Sequence, residues 1–186
     1  MTDDAKARQF AAVEVPEEVR DAIEAATEPL RRSAVQVRWV APDAYHLTLA
    51  FVGWVDDAGA RALEDACAAA ASTVQPFSMG LTGAAGTFGG GVLWAGLADC
   101  PPLERLASAL RAGLGERGMR VEQRPFHAHV TLARAARDAR IPRRLVDAYA
   151  GPRATWPVER LVTMRSRLRR SGARYRVEGA WPLGPV

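Results

Sequence analysis

Cysteine, lysine and histidine are scarce in this 186-residue chain, and long apolar runs are missing. Two cysteines, Cys67 and Cys100, do not make a disulfide framework, and no Cys-x-x-Cys pair is present to seat zinc. Lys6 is the only lysine among 25 basic residues, so arginine carries the positive charge. That skew, with abundant alanine and glycine, fits a GC-rich genome, yet arginine is also the better fork for a phosphate. No apolar stretch approaches the roughly 20 residues that span a bilayer, which argues against a membrane helix. The first six residues are charged and lack the apolar segment of a secretory signal, so a cytoplasmic location is expected. The net charge of +4 and pI of about 9.7 admit a phosphate-bearing partner without demanding one. A hydrophobic fraction of 48% is that of a globular protein, and the length suits one domain or two small lobes sharing a core.

The scarce histidines are not scattered. Two of the three open the same tetrapeptide: His46-Leu47-Thr48-Leu49 and His129-Val130-Thr131-Leu132. Both read His-x-Thr-x with an apolar residue at each x, and they fall in opposite halves of the chain. One such match arises often by chance. Two copies using two of three histidines point to one site built from two copies of one element.

The surrounding pattern supports that idea. Residues 8–15 read as a buried strand, and residues 16–32 as a helix opened by Pro16, with Val19, Ile23, Ala26 and Leu30 on one face. Residues 35–40 read as a strand and Pro42-Asp43 as a turn. Residues 45–52 alternate as a strand that Gly53 ends: His46, Thr48 and Ala50 on one face, Leu47, Leu49 and Phe51 on the other. Residues 56–74 are helical. Residues 77–81 and 91–97 are predicted strands, joined by a flexible loop holding Gly83, Gly86, Gly89 and Gly90. That loop lacks the Lys-Ser/Thr of a P-loop.

Residues 101–118 form a second amphipathic helix with Leu103, Leu106, Leu110 and Leu114 on one face. Residues 119–123 are a predicted strand, and residues 127–134 alternate like the first motif strand. Residues 137–149 are expected to be a loop leading into a short helix. Residues 158–169 and 173–181 are predicted strands around a hairpin at Ser171-Gly172. Pro16 precedes His46 by 30 residues and Pro101 precedes His129 by 28, so both halves run strand, Pro-initiated helix, strand, motif strand. This order predicts an internal duplication within a single domain over residues 1–186. The mixture predicts an α+β fold of mostly antiparallel sheet: two pseudo-symmetric lobes with flanking helices around a central cleft.

On a strand, residues i and i+2 share a face, so each histidine projects with its threonine above an apolar anchor. If the two strands meet across a pseudo-two-fold axis, the four polar groups converge on one cleft. Such a cleft suits displacement at phosphorus. One neutral imidazole accepts a proton from water, and the other, protonated, gives one to the leaving oxygen. The hydroxyls of Thr48 and Thr131 donate to non-bridging phosphate oxygens. Arg134, five residues past His129, is a candidate phosphate clamp. His127-x-His129 could be half of a metal site, but no nearby Cys, Asp or Glu completes a ligand pattern, so neither metal nor cofactor is expected. His127 is expected on the cleft wall as a strand neighbour.

These residues resemble the two-histidine (2H) phosphoesterase superfamily, specifically its RNA 2′,3′-cyclic phosphodiesterases, also described as 2′-5′ RNA ligases. The resemblance runs nearly end to end. It includes Arg8-Gln9-Phe10-Ala11-Ala12-Val13 with Pro16, and Arg38-Trp39-Val40 leading to His46-Leu47-Thr48-Leu49-Ala50-Phe51-Val52-Gly53. It continues through Gly86-Thr87-Phe88 with Val92-Leu93-Trp94, and Arg124-Pro125-Phe126-His127-Ala128-His129-Val130-Thr131-Leu132-Ala133-Arg134. Ser166-Arg167-Leu168 with Gly172 and Tyr175 completes it. Ala128 departs from the proline that many relatives carry there; it removes no reactive group.

The resemblance implies opening of RNA 2′,3′-cyclic phosphates to 2′-phosphomonoesters. It makes His46 the proton donor, His129 the proton acceptor, and Thr48, Thr131 and Arg134 the phosphate-binding residues. RNA with cyclic phosphate ends, or cyclic nucleotides, would be the partner, and a monomer is expected. Two alternatives stay open: a relative acting on a small cyclic nucleotide or ADP-ribose cyclic phosphate, and a non-catalytic RNA-end-binding module.

Overall fold

Two antiparallel sheets, one of four strands and one of five, carry the chain's two motif strands. The structure is a computed structural model and describes residues 7–34, 37–122, 124–137, 139–169 and 172–184. In chain order the elements are β1 (Ala7–Glu14), α1 (Glu17–Ser33), β2 (Val37–Trp39), a 3-10 turn (Pro42–Ala44) and β3 (His46–Val55). Next come α2 (Asp57–Ala71), β4 (Phe77–Phe88), β5 (Val92–Leu97), α3 (Pro101–Glu116) and β6 (His129–Ala135). The chain closes with α4 (Arg143–Asp147), β7 (Thr155–Val158), β8 (Arg160–Arg169) and β9 (Gly172–Pro182). The strand orders are β3-β1-β8-β9 and β2-β6-β5-β4-β7. The predicted α+β class of antiparallel sheets with flanking helices is therefore present.

The helices form where the sequence supplies both an apolar stripe and fitting ends. Pro16 precedes α1; Glu17 and Glu18 lie in its first turn and Arg31 and Arg32 in its last, matching the helix dipole. Asp56 caps α2 by accepting from Gly59 N at 2.9 Å. Leu103, Leu106, Leu110 and Leu114 of α3 are fully buried, as their spacing predicts. They share one core with Leu63, Ala66 and Cys67 of α2, Leu47 and Leu49 of β3, and Val130 and Leu132 of β6. The apolar undersides of both motif strands are thus anchored in the same packed interior.

Several expectations are corrected. Gly53 does not end β3: the strand continues to Val55, with Gly53 at φ +79°. Residues 82–88, expected within a glycine loop, belong to β4, and the turn is confined to Gly89-Gly90-Gly91, with Gly89 at φ +55° and Gly90 at +72°. Gly86 faces Trp94 across the β4–β5 pair, and a Cβ there would sit 2.2 Å from the indole Cζ2. The glycine is the seat for an aromatic ring, and its strand is not broken.

The described part of 119–123 is not a strand. Arg111 of α3 donates to the carbonyls of Glu122 and, at 2.8 Å, Arg124, so a helix side chain satisfies backbone that a neighbouring strand would otherwise pair. The predicted strand 158–169 is interrupted at Glu159, where the chain leaves one sheet for the other. Ser171 of the predicted hairpin turn, like Val35 and Gln123, lies outside the described residues.

Replacing Gly86 by valine should displace the Trp94 ring and lower stability by about 1–3 kcal/mol, the usual cost of overpacking. Denaturant unfolding checks this; an unchanged midpoint would contradict the tight seat.

Candidate active site

The motif strands occupy different sheets, but β3 and β6 meet in space. Each pairs antiparallel with a strand of its own half of the chain, β1 for β3 and β5 for β6, and the registers correspond. In the first pair Glu14 faces His46, Val13 faces Leu47, Ala12 faces Thr48 and Ala11 faces Ala50. In the second, Gly96 faces His129, Ala95 faces Val130, Trp94 faces Thr131 and Leu93 faces Ala133. Leu49 and Leu132 are each passed over in their ladder. Both motif strands therefore carry a β-bulge at the same place, three residues past the histidine.

This bulge decides which side chains reach the site. Strict alternation would turn Arg134 and Phe51 away from their histidines. One extra residue reverses the parity. Thr131 and Arg134 pair with Trp94 and Val92, two residues apart on β5 and so on one face. Thr48 and Phe51 pair with Ala12 and Phe10, likewise on one face of β1. The expectation that Phe51 joins Leu47 and Leu49 is thus corrected: Phe51 stacks on Phe10 at 5.0 Å, and Phe10 lies 4.8 Å from the His46 ring. Ala50, expected beside His46, instead joins the interior with Leu47 and Leu49.

Both imidazoles are held alike. His46 Nδ1 lies 2.8 Å from the Ala44 carbonyl, and His129 Nδ1 lies 2.8 Å from the His127 carbonyl. A carbonyl only accepts, so each Nδ1 carries hydrogen and each neutral ring keeps its lone pair on Nε2. His46 Nε2 is 3.1 Å from Thr48 Oγ1, where the hydroxyl donates to the neutral ring. Burial pushes the His46 imidazolium down to about 4; the Ala44 carbonyl opposes this, while nearby positive charge on His129 and Arg134 adds to it. His129 is lowered by burial too, with the His127 carbonyl opposing and the charges of His127 and Arg134 adding. Arg134 thus bears electrostatically on both histidines from an exposed position.

The walls are aromatic, and they differ between halves. The His46 ring meets Tyr175 of β9 edge-on at 4.7 Å as well as Phe10. His129 meets Phe88 of β4 at 4.8 Å. His127, which precedes β6, packs against Phe88 at 5.2 Å and Trp94 at 4.9 Å. It shapes the wall as expected, though from outside the strand. Spacing alone does not mark Phe10, Tyr175, Phe88 and Trp94 as site residues, because they reach the histidines from strands remote in the chain; the one signal is that each lies in a segment that carries the family resemblance.

A cavity of about 600 Å³ adjoins His46 and is lined by Glu14, Asp43, Arg160, Met164 and Tyr175 among others. A smaller one of about 300 Å³ adjoins His127 and Trp94. Among the described residues no group of three or more His, Cys, Asp or Glu side chains is placed to hold a metal ion. No helix of the described residues is long and apolar enough to cross a membrane.

Comparison with known proteins places this arrangement. The model of the 2′-5′ RNA ligase superfamily matches residues 15–170. The chain is 37% identical over 188 residues to an RNA 2′,3′-cyclic phosphodiesterase of Thermus thermophilus, covering 91% of this chain and 87% of that protein. It is 34% identical over 137 residues to an RNA 2′,3′-cyclic phosphodiesterase of Bacillus subtilis, covering 70% and 73%. Among solved structures, E. coli LigT complexed with 3′-AMP superposes with a TM-score of 0.77 at 30% identity, over 96% of this chain and 98% of that one. The TT0787 protein of Thermus thermophilus gives 0.80 at 30% identity, over 96% and 98%. Matching over most of its length in sequence and in fold, the chain belongs to the 2′-5′ RNA ligase superfamily.

Proposed function

We propose that this protein is an RNA 2′,3′-cyclic phosphodiesterase that opens cyclic phosphate ends to 2′-phosphomonoesters with a His46/His129 acid–base pair and no metal ion. Support comes first from the curated relatives, which bear the name RNA 2′,3′-cyclic phosphodiesterase. The single observation that carries the chemical reading is the matched pair of bulged strands. Each presents an imidazole whose Nδ1 is tied to a carbonyl two residues back, and whose Nε2 is the reactive atom. Equal registers and equal bulges also favour one duplicated element as the origin of both halves within a single domain.

The bonds that change are few. Water attacks phosphorus opposite O3′; its oxygen forms a new P–O bond while the P–O3′ bond breaks. His129 Nε2 takes the proton from water, and His46 Nε2–H gives one to O3′. Throughout, each Nδ1–H keeps its carbonyl, so neither ring has to turn. Thr48, Thr131 and Arg134 donate to the phosphate oxygens, whose charge rises in the transition state. The assignment of donor and acceptor follows the family resemblance. Between two turnovers the histidines exchange protons with water.

The electrostatics support an anionic ligand. Burial, helped by the positive charge of His129 and Arg134, holds His46 near 4. A phosphate diester monoanion brings the opposite charge, which raises it. Binding of an anion and protonation of His46 are therefore linked: each favours the other.

Substitution of either histidine by alanine should lower kcat/KM on a cyclic-phosphate-ended oligonucleotide by at least about a thousandfold, within the range spanned by paired acid–base catalysis. Circular dichroism should be unchanged, and EDTA should leave the parent enzyme active. Near-normal turnover by His46→Ala or His129→Ala, or loss on chelation that added metal restores, would overturn the mechanism.

The linked protonation has its own signature. In an NMR titration the His46 ring should change charge near pH 4 in the free protein, so it is neutral above that pH. Sulfate, whose charge is constant across this range, should shift that midpoint upward and bind more tightly as pH falls. A midpoint indifferent to sulfate would contradict the role of anion charge in loading the donor.

A further inference from the structure

β3 is an edge strand of its sheet, and it carries two of the most exposed large apolar side chains: Phe51 at 39% and Trp54 at 64% exposure. An exposed tryptophan on an edge strand needs a reason, since it is costly in water and invites association. Its direction comes from a second irregularity in the ladder. Val52 is passed over between the Phe10–Phe51 and Gln9–Gly53 pairs, and Gly53 adopts φ +79° there. Beyond it Trp54 pairs with Arg8. Arg8 and Phe10 are two residues apart and share a face, so Trp54 and Phe51 share it too. This is the face of His46 and Thr48.

Successive contacts connect the histidine to the tryptophan. His46 lies 4.8 Å from Phe10, Phe10 stacks 5.0 Å from Phe51, and the Arg8 guanidinium sits 5.3 Å over the Phe51 ring. Arg8 is then the cross-strand neighbour of Trp54. Positive charge gathers beside this face, with Arg8 from β1 and Arg38 and Arg134 from the other sheet. Arg8 and Arg134 both lower the Tyr175 phenol against the rise that its burial causes. Arg38 of β2 lies directly opposite Arg134 and is exposed. None of Arg8, Arg38 and Arg134 forms an ion pair among the described residues, whereas Arg160 and Arg174 nearby are paired with Glu14 and Asp43. Asp56, the acid next to the strand's end, is occupied in capping α2.

From His46 to Trp54 the partner strand β1 advances six residues, from Glu14 to Arg8, or about 20 Å. Unpaired arginines beside exposed rings over such a length are what single-stranded nucleic acid requires: cations for phosphates and π-faces on which any base can stack.

We propose that this face of β3 is a track for the RNA immediately upstream of the cyclic phosphate, with Trp54 as a stacking platform and Arg8 and Arg38 as phosphate contacts. The proposal rests on the RNA-end reading above and deepens it: the substrate is an RNA strand of several nucleotides, and a cyclic mononucleotide uses only the His46–His129 end of the surface. The track is sequence-tolerant, because it offers planar faces and charge with no pattern of base-edge donors.

Binding is measured by fluorescence anisotropy with a 5′-fluorescein-labelled eight-nucleotide RNA ending in a 2′-phosphate, which is not turned over. Trp54→Ala should weaken this RNA about tenfold, within the range of a lost base stack, and Trp54→Phe should restore much of it. Arg8→Gln and Arg38→Gln should each lower the slope of log Kd against log salt by about 0.7. In parallel, kcat/KM is measured on a cyclic-phosphate-ended octanucleotide and on 2′,3′-cyclic AMP. The ratio of the two should fall about tenfold in Trp54→Ala.

If Trp54→Ala bound the octanucleotide as the parent does, or lost activity equally on both substrates, the track would be wrong even in an active phosphodiesterase. If the parent opened no cyclic phosphate yet Trp54→Ala lost RNA affinity, the track would be supported and the hydrolase reading would fall.

Discussion

One extra residue in each motif strand determines what the site contains. The bulges at Leu49 and Leu132 come three residues after the histidines and invert the alternation from that point on. Without the second bulge, Arg134 would lie on the core side of β6, where an unpaired guanidinium is strongly disfavoured. With it, the arginine stands above the same face as His129 and Thr131. In the first half the same device delivers Phe51 to the corresponding place. A shared backbone irregularity thus yields a pair of similar strands with different chemical endings: a cation on one, an aromatic ring on the other.

The identical carbonyl bonds at Nδ1 do a complementary job. They fix the tautomer of both rings by backbone geometry alone, because the carbonyls of Ala44 and His127 lie two residues before each imidazole. What differs is the surroundings of Nε2. His46 is the more enclosed ring, packed by Phe10 and Tyr175, with Thr48 on its reactive nitrogen. His129 has Phe88 and the His127 imidazole for company. Two similar motif strands become unequal through residues that strands outside the motifs supply, and the proposed reaction, with one donor and one acceptor, needs that inequality.

Much of this was legible in the chain. A period of two identifies His46 with Thr48 and His129 with Thr131 as co-facial pairs, and their leucine and valine anchors are buried as the pattern requires. Leucine spacing and glycine placement read α3 correctly. The bulges were not legible, since Leu-Ala after a threonine carries no turn chemistry and an insertion in a ladder shows only against its partner strand. Arg134 was singled out by its place past His129 and by the family resemblance, while alternation assigned Phe51 to the wrong face. The glycines of β4 suggested a loop because the reason for Gly86, the ring of Trp94, lies on another strand. Residues 119–123 have strand-like alternation, but Arg111 takes up carbonyls at the end of this segment and just beyond it. In each case the deciding partner is distant in sequence.

Under the proposed roles, water activated by His129 attacks in line with O3′ and His46 protonates O3′, so the P–O3′ bond is the one that breaks. The most direct test is the regiochemistry of hydrolysis in ¹⁸O-water, read by phosphorus NMR and mass spectrometry on a cyclic-phosphate-ended RNA. The prediction is a 2′-phosphomonoester alone, with one solvent oxygen on phosphorus and a free 3′-hydroxyl. A 3′-phosphate, or a mixture of the two monoesters, would contradict the assignment of His46 as donor to O3′.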